Sequence, residues 1–366
     1  MIHPFITACV SALFSISTPA TDSTYTIAMV GDIMMGGTLR GGMQGKTLTP
    51  KERLPKNDGL QLFADAMPTL RKATLALGNC EGVLADGGRS AKDSVTNAFA
   101  FRTPTRLAPR LSEAGFDFLS LANNHSFDYG TAGLRSTQNT LQAHGIAFAG
   151  TKENITGQSF AIVKRNGVRF GICAFGHNPA TLSHLEDNTV LHTLQTARKA
   201  CDILIVTFHG GAEGSKASRL PHGKELYFNE NRGNLRRFAH LAIRSGADLV
   251  FGHGPHVPRA IELYEGRLIA YSLGNFCTPF GMNLTGTSGL APLLEAKLDR
   301  NGHFVSGRIH SFRQLPGIGP RHDKTHAAAK EIARLSAIDI APSALKIGAD
   351  GTLTLLHGTG KPLIQK

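Results

Sequence analysis

The chain has 366 residues, 41% hydrophobic and 18% charged, with a formal net charge of +12 and a pI near 9.7. That excludes a minimal domain or a low-complexity chain and leaves ample apolar material for one large domain or two ordinary ones. The positive balance favours anionic partners. Its basic residues are dispersed, however, and clusters such as "NLRRFAH" read as solvated helix faces, so nucleic acid is not expected.

The opening "MIHPFITACVSALFSISTPATDS" is apolar or small from Pro4 to Ile16 and meets its first acidic residue at Asp22. It reads as a signal peptide over residues 1–20, cleaved near Ala20, although no Lys or Arg precedes the apolar run. The expected location is therefore periplasmic or extracellular. Too little apolar sequence precedes Cys9 for a lipoprotein box, and no later run is long enough to span a membrane. Membrane association is left open. The remaining cysteines, Cys80, Cys173, Cys201 and Cys277, form no C-x-x-C pair, which argues against structural zinc and leaves disulfide pairing open.

Beyond the leader, "YTIAMVGD" reads as a strand entering a loop and "GLQLFADAMPTLRKA" as a helix. "TLALGNCEG" is a strand and loop, "RTPTRLAPRLSEAG" a helix closing at Gly115, and "FDFLSLANNH" the next strand and loop. A helix in "YGTAGLRSTQNTLQAHG" and a short strand "IAFAGT" follow. Then "SFAIVKRNGVRFGICAFG" gives a hairpin across "RNG", "HTLQTARKACDILIVTFHGG" a helix, strand and loop, and "NRGNLRRFAHLAIRSGADLVFGHGPH" the same again. "AIELYEGRLIAYSLGNF" is a second hairpin. Parallel α/β units mixed with hairpins predict an α/β (α+β) protein of two mixed sheets with helices outside. A main domain covers residues 24–310. Residues 311–366 read as an appendage packed on it, with a helix in "HDKTHAAAKEIARLSA" and a terminal hairpin across "ADG".

The polar residues gather where strands end. Asp32 follows the first, Asn79 and Glu81 the second, and Asn123, Asn124, His125 and Asp128 the third. His209 and Glu213, then His253 and His256, and finally Asn275 follow later strands. Singly, each has a plainer reading: a turn for "GD", a cap for Asn79 or Glu81, a hydrogen-bonded loop residue for His209. In succession they converge, because the carboxyl ends of parallel strands share one rim. Oxygen and imidazole donors together suit Zn, Mn, Fe or Ni, with carboxylates to bridge ions.

"GDIMMGG", "GNCEG", "LANNHSFDYG", "HGGAEG", "GADLVFGHGPHV" and "YSLGNF" resemble the signature series of CapA-type capsule biosynthesis proteins, which are tied to poly-γ-glutamate synthesis and resemble calcineurin-like metallophosphoesterases. The resemblance covers about residues 24–310. It implies a four-layer αββα sandwich and one or two divalent ions, Mn, Zn or Fe. Asp32, Asn79 or Glu81, Asn124, His209, His253 and His256 would be the ligands, and His125 the general acid. Asp128 and Glu213 would assist, and Asn123 and Asn275 would support the ligands. Met34 stands where metallophosphoesterases carry a ligand His, Asn79 where a bridging Asp is expected, and Gly254 and Pro255 widen the usual H-x-H spacing.

Two functions follow. One is an exported hydrolase that cleaves phosphoester or amide bonds with a metal-activated water. The other is a non-catalytic factor that assembles or exports an anionic polymer. Expected partners are an anionic polymer or phosphorylated cell-envelope substrate, with a membrane-bound synthase complex as a further candidate.

Overall fold

The computed structural model describes residues 24–41, 51–92, 99–152, 157, 159–340 and 342–356. The expected leader lies outside these residues.

The first sheet runs, in spatial order, through strands Leu345–Ile347, Thr352–Leu355, Phe304–Leu315, Leu290–Leu298, Tyr25–Ile33, Leu75–Cys80, Phe118–Ser120 and Ala147–Ala149. The last four are mutually parallel, and the side reached through Leu290–Leu298 is antiparallel. The short strand Asn275–Cys277 also pairs in parallel with the end of Tyr25–Ile33. In the second sheet the order is Ile261–Tyr264, Arg267–Ala270, Leu249–His253, Ile203–His209, Val168–Phe175, Phe160–Arg165, with its four inner strands parallel and both edge strands antiparallel. The edge hairpins match the predicted turns. Asn166 and Gly167, like Glu265 and Gly266, all have positive φ, which suits the twist of two-residue hairpins.

Side chains alternate across each strand and so sort into layers. Ile27, Met29, Leu75 and Leu77 from the first sheet meet Ile172, Ile205 and Phe251 from the second in the central core. Their neighbours Ala28, Val30 and Ala76 face outward onto helices α1 (Met67–Lys72), α2 (Pro109–Ala114) and α3 (Gly130–Ala143). On the other outer face, Cys173, Leu204 and Val206 pack under α4 (Asp187–Ala200) and α5 (Leu235–Arg244). This is the predicted four-layer αββα sandwich. Helix α6 (Ala327–Asp339) sends Ala329 and Ile332 into the central core. Strand Phe304–Leu315 runs through residue 310, so the boundary drawn there falls inside a strand.

Two helices are shorter than their sequence patterns. "GLQLFADAMPTLRKA" is helical only from Met67, after a series of three-residue turns, and "RTPTRLAPRLSEAG" only from Pro109, after a 3-10 turn. Pro68 and Pro109 lack the N–H that a continuous helix needs, so each marks a start. Helix α2 ends at Gly115 with φ +100, as the sequence predicts. The four described cysteines are buried and free.

The first strand reaches the rim through a tight crossing. A Cβ added to Gly31 would lie 1.8 Å from the Gly274 carbonyl oxygen. Gly31→Ala is therefore expected to lower stability by about 3 kcal/mol, the upper range for core overpacking. It should also displace Asp32 from its register with Asn79. An unchanged urea midpoint would refute the crossing.

Candidate metal centre

Backbone pairing delivers the rim residues. Asp32 is in register with Asn79 on one side and Asn275 on the other, and His209 with His253 across the second sheet. The Asp32 N–H donates to Gly274 O and the Glu81 N–H to Ile33 O, both at 2.9 Å. The two sheets thus present their parallel strand ends to a common crevice.

Asp32, His209 and His253 form the one group among the described residues whose ligand atoms all lie within 4.8 Å of each other, and all three are buried. His209 Nδ1 lies 3.1 Å from His253 Nδ1. Glu81 Oε2 is 3.6 Å from His209 Nδ1, and Asp32 Oδ1 is 3.9 Å from His253 Nδ1. The Asn79 amide donates to Asp32 Oδ1 at 2.8 Å and to Glu81 Oε2 at 2.6 Å. His256 lies just outside this group. With φ +58, uncommon for a non-glycine residue, it holds Asp32 Oδ2 at 2.8 Å through Nδ1.

A second group adjoins the first. The Asn123 amide donates to Asn79 Oδ1 at 2.9 Å and to Cys80 O at 2.8 Å, and Asn123 Oδ1 accepts the His125 N–H at 3.0 Å. That fully engaged side chain fixes the loop, while the Asn124 amide oxygen is buried without a hydrogen-bond partner. His125 Nδ1 lies 2.8 Å from Asp128 Oδ2, its ring packs on Phe101 with centroids 4.3 Å apart, and its Nε2 is 3.9 Å from Glu81 Oε1. Glu213 lies further out, 2.8 Å from Arg232 and 4.0 Å from His256 Nε2. Asn275 donates to the carbonyl oxygens of His256 and Ser288 at 3.3 and 3.4 Å. Met34 is buried, with its backbone N–H on Cys277 O at 2.9 Å.

These donors suit a divalent ion. Glu81 Oε1, Asn124 Oδ1 and His209 Nε2 are buried without hydrogen-bond partners. Burial, reinforced by the Asp32 charge, raises Glu81 well above the usual carboxylate range. Burial, with His253 and His177 nearby, pushes His209 well below the usual imidazole range. Burial also lowers His253 to about 4. Burial opposes charge on His256 as well. The Asp32 hydrogen bond and charge nevertheless outweigh it, with help from Glu213 and Glu81, and push His256 up to about 10. Neutral imidazoles beside carboxylates that resist joint ionisation make a site that a cation relieves.

Several neighbours escaped the sequence pattern. His177 stacks on His209 with ring centroids 5.9 Å apart, and its Nδ1 lies 3.2 Å from His209 O. It stands two residues beyond the strand ending at Phe175, so the rule that found His209 also applies to it. His184, Thr207, Arg232 and Lys92 carry no comparable signal.

The fold is the metallophosphatase sandwich. A novel phosphatase from Mycoplasma pneumoniae superimposes with a TM-score of 0.50 at 13% identity, covering 83% of this chain and 96% of that one. Residues 26–279 match the family described as bacterial capsule synthesis protein PGA_cap, and the chain belongs to that family. The capsule biosynthesis protein CapA of Bacillus anthracis is 27% identical over 282 residues, 72% of this chain and 62% of that protein. This chain therefore spans less than two thirds of that relative's length. The PGA biosynthesis protein CapA of Bacillus subtilis (strain 168) is 26% identical over 296 residues, covering 77% and 70% respectively.

The buried imidazoles imply a pH signature in the metal-free chain. His253 and His177 at about 4, and His184 at about 3, are held neutral chiefly by burial. An unfolded His binds its proton at about pH 6.5, so the unfolded chain carries more protons below that pH. This stability is present above about pH 6.5 and is lost as pH falls towards 4. His256 has the opposite sign: its contribution is lost as pH rises from about 6.5 through about 10. Urea midpoints of the metal-free protein should peak near neutral pH and fall on both sides. A flat profile from pH 5 to 9 would contradict the burial assignments.

Proposed function

We propose that this chain is an exported capsule-biosynthesis factor with a metal-dependent hydrolase site, acting on phosphoester or amide bonds of an anionic envelope polymer of the poly-γ-glutamate type. The single observation that carries this reading is the buried group Asp32, His209 and His253, with Glu81 and the unpartnered Asn124 oxygen beside it. Family membership supports the capsule role, and the apolar N-terminal sequence supports export.

In this reading Asp32, Glu81, Asn124, His209 and His253 would hold one or two ions, Mn, Zn or Fe. Asn79 orients the carboxylates by its amide. Thr207 Oγ1, 3.1 Å from His253 Nε2, accepts the N–H there and leaves Nδ1 to face the centre. His256 keeps Asp32 oriented through Nδ1, so that only its Nε2 would be left to act as a ligand. A divalent ion would supply a lowered water pKa and neutralise charge developing on the substrate. With Asp128 accepting from His125 Nδ1, Nε2 would first take up a proton and then, as the imidazolium, pass it to the leaving oxygen or nitrogen. Glu213, paired with Arg232, steadies the far side of His256, and Asn275 holds the His256 backbone. Anionic polymer is the proposed binding partner, and a membrane-bound synthase complex is the assembly it would serve.

Met34 and Asn79 favour a second reading, in which the fold binds polymer without turnover. Both replace groups that the related phosphoesterases use, and a thioether is a poor ligand for a hard ion. The test is metal analysis of the purified full chain beside His209→Ala, with bis-p-nitrophenyl phosphate turnover in added Mn or Zn. The hydrolase reading expects about one or two ions per chain, lost in the variant. It also expects turnover that falls about 10²- to 10⁴-fold in His125→Ala with metal retained. Absence of both metal and turnover, with polymer binding that survives chelation and His125→Ala, would establish the second reading instead.

A further inference from the structure

Lys92 lies between the strand Val83–Leu84 and the strand Phe99–Thr103, far in sequence from the loop that carries His125. Its ammonium reaches Asp128 Oδ1 at 2.5 Å, Asn124 O at 3.1 Å and Phe99 O at 3.1 Å. The cation is therefore turned inward, ion-paired with one carboxylate and donating to two backbone carbonyls. Its neighbours grip the same loop: the Ala91 N–H donates to Asp128 O at 2.8 Å and the Ser90 hydroxyl to the same oxygen at 3.3 Å.

This arrangement divides the Asp128 carboxylate. Oδ1 faces Lys92, while Oδ2 accepts the Phe101 N–H at 2.7 Å and lies 2.8 Å from His125 Nδ1. The ammonium is also 3.5 Å from His125 Nδ1. Nδ1 thus faces both the ammonium at 3.5 Å and a carboxylate oxygen at 2.8 Å, and the closer partner is the carboxylate, an acceptor. The favourable arrangement is therefore an Nδ1–H donated to Asp128, which leaves Nε2 towards Glu81 Oε1. The same ammonium holds the backbone carbonyl of Asn124, whose amide oxygen is buried without a partner.

We propose that Lys92 is a positioning residue of the centre, acting through Asp128 to fix the His125 tautomer and through the Asn124 carbonyl to aim the adjacent amide. Its catalytic consequence rests on the hydrolase reading above; its effect on the imidazole does not. Lys92 touches no reacting atom in this scheme. It links the loop after Val83–Leu84 to two groups that must face the same crevice. A purely structural latch would also lower stability when removed, but it would leave the tautomer unchanged.

The test compares the full-length chain with Lys92→Met and Lys92→Arg. Long-range ¹H–¹⁵N spectra of the metal-free proteins read the imidazole tautomers, with His125→Gln used only to assign the signal. Wild type should show one Nδ1–H tautomer at His125. Lys92→Met should show a mixture or the reverse, and Lys92→Arg should recover the wild-type pattern at least in part. On bis-p-nitrophenyl phosphate with Mn, Lys92→Met should lose about 10- to 100-fold in kcat. KM should stay within about twofold, the pattern of a lost transition-state contact. Unchanged His125 signals in a folded Lys92→Met would overturn the proposal, whatever its melting temperature. A wild type without turnover would defeat the hydrolase reading, and the spectra would still decide the role of Lys92.

Discussion

One amide nitrogen stands between two buried carboxylates, and the rim is arranged around that fact. Asn79 donates to both Asp32 and Glu81. Two ionised carboxylates held so closely repel by about 3 kcal/mol at an effective dielectric of ~20. Hydrogen bonds to charged groups return roughly 1.5–3 kcal/mol each, so the two from this amide offset the repulsion but not the cost of removing both charges from water. A proton on Glu81, a charged His256 or a bound cation must make up the difference. The first two raise the affected groups above their ordinary pKa values, and the third is what the adjacent imidazoles are suited to receive.

The surrounding structure holds this charge balance in place. Asn123 fixes Asn79 from behind, and Thr207 lies against His253. The His125–Asp128 pair belongs to the same construction, because His125 Nε2 approaches the unpartnered oxygen of Glu81. The buried His/Asp group and the imidazole proposed as proton donor thus share one carboxylate, which is how a disturbance on the Lys92 side would reach the centre. The outer Glu213–Arg232 pair works differently. Its carboxylate approaches His256 at 4.0 Å, close enough to influence charge and too far for a directed bond.

Much of this was legible in the sequence. Alternating apolar runs separated the layers, Gly115 marked a helix end, and "RNG" marked a hairpin. The residues after strands Tyr25–Ile33, Leu75–Cys80, Phe118–Ser120, Ile203–His209 and Leu249–His253 converge because parallel strands carry their ends to one edge. Other features were hidden for physical reasons. Pro68 and Pro109 looked compatible with longer helices because their flanks keep a helical pattern, yet each removes a donor. Lys92 sits in a loop whose sequence resembles any exposed basic turn, and its partners are supplied only when the chain returns at Asn124 and Asp128. His177 was a different case: it satisfied the strand-end rule and was passed over. The placement of His256 beside Asp32, outside the group that Asp32 forms with His209 and His253, depends on a left-handed backbone that "GHGPH" hints at through Gly254 and Pro255 without fixing.

The position of the first strand bears on how the molecule is made. Tyr25–Val30 lies mid-sheet, with Leu75–Leu77 on one side and Leu293–Leu298 on the other. During synthesis one edge of that strand has no native neighbour until nearly the whole chain has emerged, and closing so long a loop is slow. An unpaired apolar edge invites wrong pairing in the interval, so the nascent chain would benefit from a holding chaperone. The same delay keeps the polypeptide threadable. For a chain proposed to cross a membrane before folding, a central strand that must wait for its last partner is an advantage built into the topology.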